Sequence, residues 1–475
     1  MKTSLDPARV DPVLDALATA NQAFARHWPG EPAARQPVHT VYGGAHLFSA
    51  GTPRRLGELA LAHLRRYAPD PFAFARALGL PGAAELPTGA AARAHLAALD
   101  TDPGAHRVAH PAEWLAHTVY RRTMAKLERE PVEDFRIDFE DGYGNRPDRE
   151  EDQTAITAAD EVARALADGG LPFGIGIRVK PMTDELKRRA VRTTDLFVTR
   201  LLERAGKLPD RFVITLPKPQ IPEQVAAYCD VLDAFEASAG LPPGTLKIEL
   251  MIEVTQALLD ADGRSNLPLL LRAARGRCVG AHFGTYDFTA SANVTAQYQS
   301  MDHPVCDVAK HLMTIAYAST GLFLSDGATN VMPVGPHKGD VQHVADENEN
   351  AAVVHAAWRL QYGHVRHSLR GGFYQGWDLH PGQLPVRYAA CYTFFLEGFD
   401  AASARLRNFV DKAARATLVG DVFDDAATGQ GLLNYFLRAL NCGAIELADV
   451  EATGLTRDEV QGRSFVKILA NRRKL

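Results

Sequence analysis

The sequence predicts an α/β protein folded as a (β/α)₈ TIM barrel with helical insertions and a C-terminal helical appendage. Eight apolar runs of strand length alternate with segments of helical spacing, a pattern typical of parallel strands joined by crossover helices. Eight such units favour a closed barrel over an open doubly wound sheet. The predicted strands cover residues 37–42, 135–140, 173–179, 212–218, 246–253, 278–284, 321–326 and 373–379.

Helix signals separate these strands. One segment begins at Thr52 and Pro53, a capping residue followed by a proline in the first turn. Another stops at the pair Gly169–Gly170, a usual way for a helix to end. Apolar residues at helical spacing predict helices over residues 53–67, 154–168, 222–236 and 304–319.

The remaining lengths of chain set the domain organisation. We expect a helical N-terminal extension over residues 1–36, the barrel over 37–389 and a C-terminal helical region over 390–475. Two connections within the barrel, 49–132 and 334–370, are too long for simple crossovers. Because structureless loops of that length are uncommon, these insertions should contain helices of their own.

Composition excludes several classes of protein. The 475 residues hold 52 Lys and Arg against 57 Asp and Glu, a net charge of −5, so the basic face that nucleic-acid binding needs is not expected. No run approaches the ~20 apolar residues of a membrane helix. The N-terminal stretch, which contains Asp6 and Asp11, is not typical of a signal peptide. Five widely spaced cysteines indicate reduced thiols, so we predict a cytoplasmic protein.

Polar side chains stand at the ends of the predicted strands. Barrel active sites are built at the C-terminal ends of strands, so these residues are the first candidates for chemistry. A ring of carboxylates with interspersed cations indicates a divalent cation that holds a small acidic substrate. The strand-end residues are Asp138, Glu140, Asp141, Arg178, Lys180, Lys218, Glu253, His282, Asp287, Asp326, Asp378 and His380.

Glu253 and Asp287 are the predicted metal ligands. They close adjacent strands, which lie about 4.8 Å apart, and carboxylates at that separation repel each other unless a proton or cation lies between them. Hard oxygen ligands with open coordination positions suit Mg²⁺. The alternative is that each carboxylate pairs with a basic residue in a structural network.

Arg178 and Lys218 are the candidate catalytic cations. Arg178 follows the strand sequence GIGI, where its guanidinium could grip a substrate carboxylate or a developing enolate oxygen; a salt bridge to Glu140 or Asp141 is the alternative and is compatible with that role. Lys218 could equally form an ion pair across the barrel mouth. A Schiff base on Lys218 is disfavoured, because surrounding carboxylates would keep the amine protonated.

Six motifs between residues 133 and 390 resemble those of citrate lyase β-subunits and occur in the same order. The family elements are LDLEDAV, RxN, PK, IET, FGxxDL and WxIHPxQI. Each motif alone is weak, whereas the ordered set is specific. Here they read IDFEDGYG (137–144), IRVKP (177–181), ITLPKPQIPEQV (214–225), LMIEVTQAL (250–258), HFGTYDF (282–288) and WDLHPGQLPV (377–386).

The chain therefore resembles a divergent and enlarged member of the superfamily of citrate lyase β-subunits, malyl-CoA lyases and HpcH/HpaI aldolases, whose barrel malate synthases share. The resemblance implies Mg²⁺, or else Mn²⁺, on Glu253 and Asp287, with the 2-oxo acid bound by Arg178. Backbone amides of Thr285, Tyr286 and Asp287 would hold the substrate carboxylate. Glu140 and Asp141 would orient water molecules on the metal.

The resemblance also implies an acid/base residue near the C-terminus. The segment GDVFDDAATG (420–429) resembles the G-x-M-I-D segment of acyl-CoA lyases, which makes Asp424, with Asp425 beside it, the candidate. In those lyases this aspartate often comes from a neighbouring subunit, so a homo-oligomer is expected. Solvated loop acids that cap the next helix are the alternative.

Some features depart from the family pattern. Lys180 replaces the family's asparagine and Val254 its threonine, the chain is longer than the usual members, and no coenzyme A pocket is evident. The implied activity is Mg²⁺-dependent cleavage or formation of carbon–carbon bonds, of aldol or Claisen type, on 2-oxo or 2-hydroxy acids, with coenzyme A thioesters as one form of substrate. A class II aldolase for free 2-oxo acids and a barrel that binds a metabolite without turnover are the alternatives.

Overall fold

The computed structural model describes residues 4–31, 34–339, 343–413 and 426–472. It shows a closed barrel of eight parallel strands. The strands follow one another around the barrel in chain order, and the eighth pairs with the first. This confirms the predicted fold class. The strands are β1 (His39–Gly44), β2 (Asp134–Asp138), β3 (Gly174–Arg178), β4 (Phe212–Leu216), β5 (Lys247–Ile252), β6 (Cys278–Phe283), β7 (Phe323–Ala328) and β8 (Gln375–Asp378).

Helices surround the barrel and fill its two long insertions. Those up to the fourth strand are α1 (Pro7–His27), α2 (Thr52–Tyr67), α3 (Pro71–Leu78), α4 (Gly89–Thr101), α5 (Pro103–Ala109), α6 (Pro111–Arg129), α7 (Asp148–Ala167) and α8 (Lys187–Ala205). Those that follow are α9 (Pro222–Ala239), α10 (Leu267–Ala273), α11 (Thr285–Ser291), α12 (Pro304–Tyr317), α13 (Val344–Arg370), α14 (Leu384–Leu396), α15 (Phe399–Ala413), α16 (Ala426–Cys442), α17 (Leu447–Glu451), α18 (Arg457–Gln461) and α19 (Phe465–Arg472).

Alternation along the strands decides which side chains enter the barrel. On β2, Phe135 and Ile137 are buried in the hydrophobic core, and Arg136 between them crosses the barrel to reach Glu249 on β5. The same parity places Asp138 inside, level with Arg178 on β3. The barrel interior is therefore polar along its length.

A layer of polar side chains fills the middle of the barrel, and we call it the interior layer. Arg136 donates to both oxygens of Glu249 at 2.8 Å and to Asp134 at 2.5 Å. The Nε2 atom of His282 lies 3.1 Å from Glu249, and its Nδ1 accepts from the indole of Trp377. Each charge in this layer has an opposite partner.

Two strand-end carboxylates lie outside the barrel, so their predicted place in the ring at the mouth was wrong. Asp378 pairs with Arg387 on α14 and with His39, and it is fully buried. Asp326 pairs with Lys310 on α12 and accepts from Ser368 on α13. Because Trp377 points into the barrel, its neighbour Asp378 must point outward.

The N-terminal helix α1 contributes nothing to the core, since none of its residues is buried. By contrast, α2 and α6 of the first insertion contribute Leu64, Val119 and Leu127 to the main hydrophobic core. Among the described residues, no helix combines the length and the apolar character needed to span a bilayer.

Candidate active site at the mouth of the barrel

The C-terminal ends of the strands bring together six charged residues, and we call this region the mouth. Its centre is the ammonium group of Lys218, which follows β4. The Lys218 Nζ atom lies 2.5 Å from Glu140, 3.3 Å from Asp141, 3.2 Å from Asp287 and 3.8 Å from Glu253. Arg178, at the end of β3, is the sixth member. The fold thus brings six of the predicted strand-end residues to one place.

The backbone of Lys218 also takes part. Its φ is +52°, an uncommon conformation for a residue other than glycine. In this conformation its amide donates to Glu253 Oε1 over 3.1 Å, while its side chain meets the carboxylates. Local strain of this kind is maintained only where surrounding contacts enforce it, and it concentrates at functional sites.

Glu253 is held between the tips of two neighbouring strands. It directly follows β5 and is 1% exposed. Ile252 pairs with Phe283, so Gly284 lies beside Glu253 across the sheet. A Cβ atom at Gly284 would lie 2.5 Å from Glu253 Oε2. The glycine is therefore what lets this carboxylate lie against the end of β6.

Arg178 is fixed by a carboxylate on the neighbouring strand. Its Nε and Nη2 atoms donate to the two oxygens of Asp138 over 2.7 and 2.5 Å. The Nη1 atom faces the mouth, 3.2 Å from Glu140 and 3.6 Å from Asp141. Asp138 also accepts from the amides of Glu140 and Gly142, which orders the loop after β2. The salt bridges from Arg178 to Glu140 and Asp141, which the sequence analysis gave as an alternative, are therefore present.

Negative charge outweighs positive charge at the mouth. Burial raises the pKa of Glu253 well above its usual range, and nearby Asp287 and Glu140 add to the rise. Burial likewise raises the pKa of Glu140 to about 7. For Asp141 burial acts upward as well, yet its hydrogen bond with Glu140 and the two cations leave its pKa lowered. Two cations do not balance Glu140, Asp141, Glu253, Asp287 and the Asp138 that binds Arg178.

Lys218 itself stays charged. Burial acts to lower its pKa, but Glu253, Glu140, Asp141 and Asp287 together raise the pKa above its usual value. A protonated amine is not a nucleophile, so the charge state of Lys218 disfavours a Schiff base at this residue.

Asp287 reaches the mouth from a helix and not from a strand tip. It lies in the first turn of α11, four residues beyond the end of β6, with its side chain 40% exposed. Its neighbour Thr285 is buried, and the Thr285 hydroxyl has no hydrogen-bond partner. Tyr286 turns its hydroxyl to the loop after β7, donating to Ala328 and accepting from the amide of Asn330.

Lys180 takes no part in the mouth. Its ammonium donates to the carbonyl of Phe139 over 2.7 Å and pairs with Glu151 on α7. This residue anchors the loop after β2 to the helix layer. Asp424 and Asp425 lie outside the described residues, so the assignment of the acid/base residue stays a prediction.

Two residues beside Arg178 were given no role from the sequence. Asp138 orients Arg178, and Tyr42 on β1 lies beneath it, with the guanidinium carbon 5.0 Å from the ring centroid. Strand parity could have placed Asp138, since Asp138 and Arg178 are register partners. Tyr42 stands before Gly43 and Gly44, whose lack of side chains accommodates Phe135 and the carbonyl of Gly142.

The four carboxylates of the mouth are spread around Lys218. Among the described residues, three possible metal-ligating atoms come within 4.8 Å of one another only at His95, His110 and Glu113, in the first insertion. Lys218 occupies the centre to which the mouth carboxylates point. A cation at this centre would therefore replace the ammonium and not add to it.

Fold and site together define a TIM barrel with a polar, acid-rich site at the C-terminal ends of its strands. A family model described as a domain of unknown function (DUF6986) matches residues 17–468. The chain belongs to this family. No curated protein matches the chain by sequence.

Solved structures similar to the chain include a citrate lyase from Burkholderia xenovorans LB400, with 20% identity over 71% of this chain and 92% of that chain, and a TM-score of 0.49. The magnesium/glyoxylate complex of Haloferax volcanii malate synthase has 14% identity over 76% and 93% of the two chains, with a TM-score of 0.39. A HpcH/HpaI aldolase/citrate lyase family protein from Burkholderia cenocepacia J2315 has 12% identity over 61% and 89%, with a TM-score of 0.33.

Proposed function

We propose that the protein is a Mg²⁺-dependent carbon–carbon lyase or synthase, of aldol or Claisen type, that acts on 2-oxo or 2-hydroxy acids. The observation that carries the proposal is the unbalanced charge of the mouth, where four carboxylates surround the single ammonium of Lys218. It lies at the end of the barrel where catalysis takes place in this fold.

The donor set fits a hard divalent cation. Glu253 and Asp287 would hold it, because carboxylate oxygens with open positions suit Mg²⁺. The raised pKa of Glu253 supports this assignment, since burial without enough positive charge is what raises it. When bound, the cation would polarise the 2-oxo carbonyl of the substrate.

Arg178 and Lys218 would bind the acid group of the substrate. Arg178 has one nitrogen, Nη1, that faces the mouth while Asp138 holds the other two. A guanidinium fixed in this way can donate to a carboxylate or to an enolate oxygen without reorganising. Lys218 would supply a second donor once a cation takes over its present contacts.

The orphan hydroxyl of Thr285 supports the same placement of substrate. A buried hydroxyl without a partner at this end of the barrel is a group that a ligand could satisfy. Thr285 adjoins the backbone amides of Tyr286 and Asp287, which we propose hold the substrate carboxylate. Asp424 is the proposed acid/base residue, and Asp424→Asn should lower kcat with little change in metal affinity.

Turnover assays with two substrate panels test the proposal. One panel contains malyl-CoA-like thioesters and the other contains free 4-hydroxy-2-oxo acids, each with Mg²⁺ and with a chelator. We expect turnover on one panel that Mg²⁺ restores after chelation and that Glu253→Gln abolishes, whereas exposed Glu128→Gln on α6 leaves it unchanged. Clean metal binding without turnover on either panel would contradict the lyase and favour a metabolite-binding barrel.

A titration calorimetry experiment with coenzyme A separates the two forms of substrate. Binding to the wild-type protein would favour thioester substrates. No binding, together with turnover of the free acids, would favour the class II aldolase.

A further inference from the structure

A cluster of imidazoles and one carboxylate lies in the first insertion. His95 comes from α4, His110 caps α6, and Glu113 lies in the first turn of α6. The His95 Nδ1 atom is 2.7 Å from one oxygen of Glu113, and the His110 Nδ1 atom is 3.5 Å from the other. The ligand atoms of these three residues all lie within 4.8 Å of one another. One carboxylate thus faces two imidazoles.

A third imidazole stands beside this group. The ring of His106 on α5 lies 5.5 Å from that of His110 and 6.5 Å from that of His95. His106, His110 and Glu113 follow the spacing H-x₃-H-x₂-E, and two histidines four residues apart are typical of zinc-binding segments. Imidazole nitrogens with one carboxylate suit Zn²⁺ and similar transition metals, and they suit Mg²⁺ poorly.

The surrounding helices have little core of their own. In α5 no residue is buried, and in α4 only Leu99 is. By contrast, α6 buries nine residues against the rest of the molecule. Short helices with so little buried apolar surface are marginal without another constraint. His95 comes from α4, His110 from the junction of α5 and α6, and Glu113 from α6, so a shared ion would join the three helices.

Glu113 is the part of the cluster best prepared for a cation. Its side chain is only 11% exposed, whereas those of His95 and His110 are 36% and 45% exposed. A largely buried carboxylate is stabilised by a nearby positive charge. The open side of the two imidazoles gives an ion access from solvent.

We propose that His95, His110 and Glu113 bind a structural transition-metal ion, Zn²⁺ by its chemistry, that fastens α4 and α5 to α6. His106 is the nearest further ligand. The site is separate from the mouth and from the proposed carbon–carbon chemistry, because none of its residues belongs to the mouth.

Zinc binding to the full-length protein tests the proposal. Chelator-treated protein is titrated with Zn²⁺ against a chromophoric chelator, for the wild type, His95→Ala/His110→Ala and Glu113→Gln. We expect one Zn²⁺ per chain in the wild type, with affinity at least a hundredfold lower in the double variant. His337→Ala is the matched control, since His337 contacts Glu349 at 2.7 Å without a second imidazole in a metal-ligating group. All proteins are also compared in the Glu253→Gln/Asp287→Asn background, which removes zinc at the mouth, and the control should bind as its parent does.

Two readouts besides affinity distinguish a structural ion from adventitious binding. Zn²⁺ should raise the thermal midpoint of the wild type and slow proteolysis between residues 88 and 110, and neither effect should occur in the double variant. Co²⁺ in place of Zn²⁺ should give the visible absorption of a low-symmetry nitrogen and oxygen site. Should the double variant fail to fold, Glu113→Gln carries the comparison. Unchanged zinc affinity in folded variants, or no zinc bound by the wild type, would overturn the proposal.

Discussion

Glu249 lies on β5 and Glu253 directly follows it, four residues further along the chain. Their surroundings shift the pKa values of the two carboxyls in opposite directions. Burial acts to raise the pKa of both. At Glu249, in the interior layer, Arg136 and His282 outweigh burial and leave the pKa below its usual value. At Glu253, in the mouth, Lys218 and Arg178 do not, and the pKa is raised.

The difference shows which part of the barrel is structural. In the interior layer one guanidinium, that of Arg136, donates directly to both carboxylates. In the mouth one ammonium serves four carboxylates, which leaves negative charge that folding alone does not require. Groups whose pKa is displaced by burial and by like charges are concentrated at functional sites. The mouth is therefore the better candidate for chemistry.

The largest expected effect comes from neutralising each glutamate in turn. Glu249→Gln should lower the free energy of unfolding by about 3–5 kcal/mol, because it leaves Arg136 buried without its main partner. Glu253→Gln should change that free energy by no more than about 1 kcal/mol and should abolish turnover. Urea unfolding and initial rates measure the two effects. Equal losses of stability in both variants would remove the distinction between the two layers.

Replacing Lys218 tests whether its ammonium stands where a dication would bind. Lys218→Met removes the ammonium that contacts all four carboxylates, so we expect Mg²⁺ affinity to rise by about tenfold or more. Titration calorimetry measures the change, and exposed Lys207→Met is the control. A lower affinity would show that Lys218 supports the cation and does not compete with it.

Gly284 tests the position of Glu253 without altering its charge. In Gly284→Ala the new methyl group would lie 2.5 Å from Glu253 Oε2, so the carboxylate must shift. A displacement of about 1 Å at a catalytic site costs on the order of a hundredfold in rate. Gly51→Ala, where a Cβ meets no atom within 4 Å, is the control. Normal rates in Gly284→Ala would show that the position of the Glu253 carboxylate does not matter for catalysis.

The smallest expected effect is on the pH dependence of stability, measured with a chelator present. A carboxyl whose pKa is raised by folding stabilises the protein at low pH, and this stability is lost as the pH rises above the unfolded value of 4.5. Glu253→Gln should therefore reduce the loss of unfolding free energy on going from pH 4.5 to 8. The contribution of Glu249 has the opposite sign. Because folding lowers the pKa of Glu249, this carboxylate stabilises the protein above pH 4.5, and the stabilisation is lost as the pH falls below that value.

The two variants should accordingly alter opposite limbs of the pH profile. Glu249→Gln should make stability less sensitive to acid, and Glu253→Gln less sensitive to base. Parallel profiles for the two variants would contradict the pKa directions on which the comparison depends.

The sequence predicted the barrel and most of the mouth because both depend on short-range patterns. Apolar runs located the ends of all eight strands to within two residues, and the polar residues that end these runs located Arg178, Lys218 and Glu253. The positions of Asp326 and Asp378 depend instead on the parity of the final strand residues. Strands of four to six residues leave that parity open by one position, which decides between barrel and helix layer.

Other features depend on contacts that no local pattern encodes. Lys218 reaches four carboxylates because its backbone adopts a positive φ, and nothing in the sequence LPKP requires this. Asp287 reaches the mouth from the first turn of α11, although the spacing suggested a strand end. The His95, His110 and Glu113 cluster brings α4 to the junction of α5 and α6, and none of its residues was singled out from the sequence.

Titration with Mn²⁺, followed by electron paramagnetic resonance, tests the central claim most directly. The protein and the variant Glu253→Gln/Asp287→Asn are compared, with His95→Ala/His110→Ala present in both backgrounds to remove the insertion cluster. We expect one Mn²⁺ per chain when Glu253 and Asp287 are intact and an affinity at least about a hundredfold lower when they are neutralised. Identical binding curves in the two backgrounds would contradict a dication held between β5 and α11.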